Sequence, residues 1–253
     1  MSTDPALRQG GGFAATHLQK SCRAQAGNTP VSAQLLSGDI AYVQLPGFFP
    51  GAADQVLQAI TNPAKGARLR GLILDLRGNG GGDPEVSRLL GAFTHGAAYV
   101  YLCDVHGSCA ATYTDTDVPL LHLPLVVLTD RNCVSACDAF SGAVKDLRLG
   151  TLVGTRTGGI LSGPAAAYLL DDASLIILPP MYASGADHEI IDGIGVAPDY
   201  YLPLTAQDLS TGHDPGIAKA LTLRDAVCCP VRCRAGPGTG SCEPPAVGWA
   251  GRP

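Results

Sequence analysis

An α/β domain built on a sheet buried on both faces is the fold class that this sequence predicts. Two apolar runs of strand length point to it, Arg70-Gly71-Leu72-Ile73-Leu74-Asp75-Leu76-Arg77 and Pro124-Leu125-Val126-Val127-Leu128-Thr129. Continuous rather than alternating apolar character is what a strand covered on both sides requires. Each run ends in a turn signal, and the second is followed by helical spacing at Ala139, Phe140, Ala143, Val144 and Leu147. Size and composition agree: 253 residues suffice for one large core, and 46% hydrophobic with 15% charged residues describes a globular chain.

In chain order the spacing predicts a strand over 40–45, a helix over about 51–63, a strand over 70–77, a helix over about 84–93 and a strand over 97–103. A strand over 124–129, a helix over 136–147, a strand over 151–154 and strands near 165–170 and 174–179 follow, with a closing helix near 213–221. Residues 1–38 read as an N-terminal arm or remnant helical cap, 39–222 as the core, and the Pro, Gly and Cys-rich stretch 223–253 as a low-order tail. No internal repeat is present.

The run Asp130-Arg131-Asn132-Cys133-Val134-Ser135-Ala136-Cys137-Asp138 carries the chemistry. A serine at a strand-to-helix turn stands at the mouth of a sheet, beside the first free N–H groups of the helix, which can hold a developing oxyanion. The same residue type also serves as a plain helix N-cap. A second element, Gly78-Asn79-Gly80-Gly81-Gly82-Asp83, closes the upstream strand. It lacks the Gly-Lys-Ser/Thr of a P-loop, and position 83 is Asp where G-x-G-x-x-G needs Gly, so a glycine N–H aimed at an acyl oxygen fits better than phosphate cradling.

Leu74-Asp75-Leu76-Arg77-Gly78-Asn79-Gly80-Gly81-Gly82, Ser135-Ala136-Cys137-Asp138, Leu152-Val153-Gly154-Thr155-Arg156-Thr157-Gly158-Gly159 and Ile191-Asp192-Gly193-Ile194-Gly195-Val196-Ala197-Pro198-Asp199 occur in this order. Together they resemble peptidase family S41, the C-terminal (tail-specific) processing proteases and their tricorn-like relatives. The resemblance implies a ClpP/crotonase-like ββα superhelix, Ser135 as nucleophile, and an oxyanion hole of Gly80, Gly81 and Ala136 amides. One branch pairs its serine with a lysine shortly after the third motif; here Gly159-Ile160-Leu161 occupies that place, so a Ser–Lys dyad is not expected. The tricorn-like branch uses an upstream histidine and a carboxylate before the last motif. His17 and Asp192 stand at those places, Asp192 where Glu is more usual, and Asp192-Gly193 is equally a turn signal. His188 precedes Asp192 by four residues and also reads as a solvated loop residue, as do His95, His106, His122 and His213.

A histidine is the side chain best poised to take the proton of a serine near neutral pH, and His17 is the expected base. The expected activity is therefore a serine peptidase acting on a peptide or protein; the alternative is an inactive relative binding a peptide or apolar ligand in the same cleft. A hydratase of the related crotonase fold would use the glycine turn but leaves Ser135 and the Asp192 run unexplained. Neither metal nor organic cofactor is implied. Only ~22 residues separate His17 from the strand at 40–45, too few for an inserted PDZ domain.

Nine cysteines are many for a reducing compartment, and their odd number leaves at least one unpaired within the chain. Cys103 and Cys109 flank a loop short enough for a disulfide. Cys133 and Cys137 bracket Ser135 and read as small buried thiols, although a bridge there would stiffen the turn. Cys228, Cys229, Cys233 and Cys242 lack the paired spacing of a zinc site. A net charge of −5 without a Lys/Arg cluster argues against nucleic acid. No apolar run reaches the ~20 residues of a membrane span, and Met1–Arg8 shows no signal-peptide core, whereas cysteine usage favours an extracytoplasmic location.

Overall fold

The computed structural model describes residues 31–61, 68–82, 85–163 and 166–227. Its framework is a six-stranded sheet in the order β1-β2-β3-β6-β7-β11. The strands are β1 (Ser32–Leu36), β2 (Ile40–Gln44), β3 (Gly71–Asp75), β6 (Leu125–Thr129), β7 (Thr151–Gly154) and β11 (Tyr200–Tyr201). All run parallel except β1, which pairs antiparallel with β2 through Leu36↔Ile40 to Ser32↔Gln44. A second sheet, β10-β4-β5, joins Tyr182–Gly185, Ala98–Cys103 and Cys109–Tyr113 in antiparallel fashion. The pair β8 (Ala166–Leu169) and β9 (Leu175–Leu178) forms a separate ribbon.

The unbroken apolar character of β3 and β6 follows from helices on both faces. Leu72, Leu74 and Leu76 of the β3 segment join Val43, Leu45, Val127 and Leu152 under α1 (Ala52–Thr61), α2 (Val86–Gly91) and α3 (Ala136–Asp146). Ile73, with Ile40, Val126, Leu128 and Val153, faces the other way onto Ala220 and Ile217 of α5 (Pro215–Val227). Consecutive residues of one strand thus serve two cores, as the period of two demands. Most helix and strand expectations agree with the structure to within a few residues.

Several elements were not visible in the sequence. Residues 32–36, assigned to the arm, form β1 and extend the sheet. The strands β5, β10 and β11 and the short helix α4 (Ala206–Thr211) are further additions. α4 has a Thr205–Asp208 capping box and ends on Gly212 in the left-handed region, φ +66°. The helix expected to close the domain near 213–221 extends to Val227.

A charged link ties β2 and β3 to the start of α5 on one side of the sheet. Asp75, 1% exposed at the end of β3, accepts from Tyr42 Oη at 2.6 Å and from Arg77 Nε at 2.9 Å. Arg77 Nη1 also reaches Asp214 Oδ2 at 2.8 Å, while Asp214 Oδ1 caps α5 by accepting from Ile217 N at 3.0 Å. Burial and the Asp75 carboxylate both push the Tyr42 hydroxyl pKa well above the tyrosine range. A carboxylate buried this deeply depends on its donors. We expect Arg77→Met to destabilise the protein by about 3 kcal/mol, the cost of stranding a buried partner. Chemical denaturation would read this, and Arg77→Lys should recover only part of it because the forked contact is lost.

Candidate active site

Ser135 lies between β6 and α3 with φ +59° and ψ −119°. A positive φ on a residue bearing a Cβ is strained and is held only where neighbours dictate it. Four interactions dictate it here. Ser135 N–H donates both to Ile160 O (2.8 Å) and to Asp138 Oδ2 (3.0 Å). Val134 N–H donates to Asn79 O at 3.1 Å, pinning the turn to the glycine segment after β3. The Cys133–Cys137 disulfide then closes the backbone around the serine, with both sulfurs buried. This corrects the reading of Cys133 and Cys137 as free thiols. At the entry to a helix, residues four apart share a face, and their Cα atoms are 5.2 Å apart, within disulfide range. The other expected bridge, Cys103–Cys109, closes the β4–β5 hairpin.

The Ser135 side chain is partly exposed. Ser135 and Asp138 face each other as a capping box, in which Ser135 N–H donates to Asp138 Oδ2 at 3.0 Å and the Ser135 side chain faces Asp138 N–H. Asp138, wholly buried, is a residue whose weight the sequence did not reveal. It takes Ser135 N–H and Ile160 N–H on one oxygen and Gly159 N–H on the other, each at 3.0 Å. The S-x-x-D spacing was the available signal.

The glycine turn meets the serine directly. A Cβ on Gly81 would lie 2.6 Å from Ser135 Cβ, 2.7 Å from Val134 O and 3.0 Å from Ala136 N, and Gly81 has φ +82°. Only glycine permits this approach. Of the amides expected in an oxyanion hole, Gly81 N–H is already donated to Asn79 Oδ1 at 2.8 Å. Gly80 N–H and Ala136 N–H donate to no group among the described residues. Asn79 is fully buried, and its Nδ2 holds Leu45 O at 2.9 Å, so its amide side chain fixes the turn at both ends.

Asp192 is held by the loop after β7. Its Oδ1 accepts from Leu161 N (2.7 Å) and Ser162 N (2.8 Å), and its Oδ2 takes the Ser162 hydroxyl. It thus anchors the loop whose Ile160 carbonyl receives Ser135 N–H. Among the described histidines none bonds to Ser135 or Asp192. His188 stacks on Tyr101 with ring centroids 4.1 Å apart, His95 Nε2 meets Val118 O at 2.7 Å, and His213 pairs with Asp208. His17 and the cysteines beyond Val227 lie outside the described residues. A cleft of about 730 Å³ opens at the strand ends beneath α5, lined by Asp75, Arg77, Arg131 and Arg156. Ser135 and Gly80–Gly82 do not line it.

A mixed α/β domain carrying a strained serine against a glycine turn is a hydrolase-like arrangement, and comparison with known proteins specifies it. Residues 39–202 match the description "Peptidase family S41". The chain is 31% identical over 169 residues to the chloroplastic carboxyl-terminal-processing peptidase 2 of Arabidopsis thaliana, spanning 66% of this chain and 32% of that protein. It is 27% identical over 191 residues to the tricorn protease of Thermoplasma volcanium, spanning 74% and 17% respectively. The solved photosystem II D1 C-terminal processing protease superposes with a TM-score of 0.57 at 28% identity, over 68% of this chain and 48% of the other. The chain belongs to peptidase family S41. It spans about a third of the length of the processing peptidases that it matches.

Three outcomes check the architecture. Gly81→Ala, strained at φ +82° and blocked by Ser135, should lower stability and disable the site together, read by thermal melting and by labelling of the serine. Asp138→Ala strands the Gly159 and Ile160 N–H groups, while Ser135 N–H keeps Ile160 O, and should cost at least about 2 kcal/mol, taking ~1 kcal/mol or more for each unsatisfied group. Replacing both Cys133 and Cys137 by Ala should cost about 2 kcal/mol under oxidising conditions, because the loop that they close is short, and nothing further under reduction.

Proposed function

We propose that this protein is a serine peptidase in which Ser135 forms the acyl-enzyme. The observation that carries the proposal is the partly exposed Ser135 held at φ +59° directly against Gly81. Strain of this kind collects where a side chain must be presented rather than packed. Ser135 Oγ attacks the carbonyl carbon of a peptide bond, and the hydroxyl proton passes to His17 as general base. The C–N bond then breaks as the amine takes that proton, and water repeats the sequence on the ester.

Negative charge on the carbonyl oxygen is taken up by Gly80 N–H and Ala136 N–H, the amides of the original trio that have no other described partner. Gly81 supplies the close approach instead. The positive end of the α3 dipole acts in the same direction as Ala136. Asp192 works at one remove in this scheme. Its three donors fix residues 161–162, and Ile160 holds the Ser135 amide. His17 is assigned from its place in the sequence, and no described histidine competes for the role.

The parallel order β2-β3-β6-β7, with α1, α2 and α3 stacked on one face, supports reading the core as the repeating ββα units of a ClpP/crotonase-like superhelix. The resemblance to processing peptidases supports a polypeptide substrate cut near its carboxyl end. Two disulfides, one wholly buried at the nucleophile, favour an oxidising, extracytoplasmic site of action. Among the described residues no helix is long and apolar enough to cross a membrane.

A fluorophosphonate probe should label the protein, and Ser135→Ala should abolish the labelling while leaving the melting temperature nearly unchanged. His17→Ala should lower kcat on a peptide substrate by at least about 10²-fold, within the usual contribution of a general base. A folded protein that resists the probe would overturn the peptidase reading. Full activity of His17→Ala would overturn the base assignment alone.

A further inference from the structure

We propose that oxidation of Cys133 and Cys137 to their disulfide is the step that switches the Ser135 site on, the reduced chain being folded but slow. The inference rests on the reading of Ser135 as the nucleophile. It starts from position: the bridged residues stand two before and two after the serine, so the bond closes a ring of backbone with Ser135 at its centre. The other bridge, Cys103–Cys109, closes the β4–β5 hairpin instead. Ser135 has φ +59°, a conformation that a residue bearing a Cβ holds only under restraint. Both ends of the ring are anchored. Cys133 O accepts from Gly158 N–H at 2.8 Å, and Cys133 N–H donates to Asp130 O at 3.0 Å. Cys137 belongs to the first turn of α3, and its N–H donates to Val134 O at 3.0 Å. The bond fixes how far apart these two anchors sit.

Room is the second consideration. Cys133 and Cys137 are both fully buried, and each sulfur already has a neighbour behind it. Cys133 Sγ lies 3.6 Å from Ser141 Oγ, and Cys137 Sγ lies 3.8 Å from Leu76 O. Two thiols need more volume than one disulfide, because unbonded sulfurs keep their van der Waals separation and each carries a hydrogen. A close-packed interior has little space to supply, and added volume there shifts side chains and backbone. Val134, Ser135 and Ala136 are partly exposed, whereas the cysteines that flank them are not. The displacement therefore falls on the residues that carry the hydroxyl and the Ala136 amide. A shift on the order of 1 Å at a reacting group costs roughly 10²-fold in rate.

Burial also gives the step a direction. Once formed, the bond is shielded from reductants by the packed residues around it, so it acts as a maturation event and not as a reversible sensor. The oxidant is a small-molecule disulfide such as oxidised glutathione. One cysteine thiolate attacks a sulfur of that disulfide, releases one thiolate and leaves a mixed disulfide. The second cysteine thiolate attacks the protein-bound sulfur of the mixed disulfide and releases the other. Two electrons pass from the cysteine pair to the oxidant, and the protons that the cysteines lose end on the two released thiols.

The test compares the full chain prepared reduced with the same chain after treatment with oxidised glutathione. The rate of fluorophosphonate labelling is read for each, with circular dichroism to follow the fold. The oxidised chain should label at least about 10-fold faster. The double variant Cys133→Ala with Cys137→Ala should label at one rate in both states, whatever that rate is. Cys103→Ala with Cys109→Ala should keep the wild-type ratio. Equal wild-type rates in the two states would overturn the proposal. So would a ratio that persists without Cys133 and Cys137, or one that disappears without Cys103 and Cys109. A reduced chain that is unfolded would overturn it as well, since the bond would then staple the fold and not set the site. Absence of labelling in both states would instead remove the peptidase reading, and this proposal with it.

Discussion

One buried carboxylate sets the geometry around the serine. Asp138 sits in the first turn of α3 with no exposed surface and receives three backbone N–H groups, two from the Gly159–Ile160 segment and one from Ser135. A charge withdrawn from water must be compensated by donors close at hand, and the donors available are the amides that must be aligned. The positive end of the helix adds to the compensation. The carboxylate therefore joins the turn after β6 to the loop after β7, and neither can shift without stranding it.

Around that carboxylate the four sequence motifs converge through main-chain contacts. The glycine turn reaches the serine through Val134 N–H to Asn79 O. The Gly158–Gly159 segment returns through Gly158 N–H to Cys133 O at 2.8 Å. The last motif reaches the second-to-last through Gly193 N–H to Gly159 O at 2.8 Å. Since amides and carbonyls rather than side chains make these contacts, glycine at the crossing points matters more than any particular side chain there. The Cys133–Cys137 bridge adds a covalent restraint to the same few residues.

The framework and the site obey different logic. Strands β3 and β6 are buried on both sides because α1–α3 pack on one face and α5 on the other. That sandwich brings the ends of β3, β6 and β7 to one edge, where the site and the cleft beneath α5 lie on opposite sides. The ribbon β8–β9 stands outside this economy. It contributes to neither core and carries apolar side chains on both faces.

Sequence alone determined the α/β class and the order of the main strands and helices, and it singled out Ser135 and the glycine turn, which the fold brings into contact. These features are local: an unbroken apolar run, a helical repeat, or a glycine cluster at a strand end leaves its mark within a few residues. Tertiary structure decided which amides are free and which are taken. Gly81 N–H is bound by Asn79, and Asp192 accepts from Leu161 and Ser162. It also decided that residues 32–36 extend the sheet and that Cys133 and Cys137 are joined. A hydrogen bond or a strand pairing is a relation between segments distant in the chain, and no pattern within one segment encodes its partner.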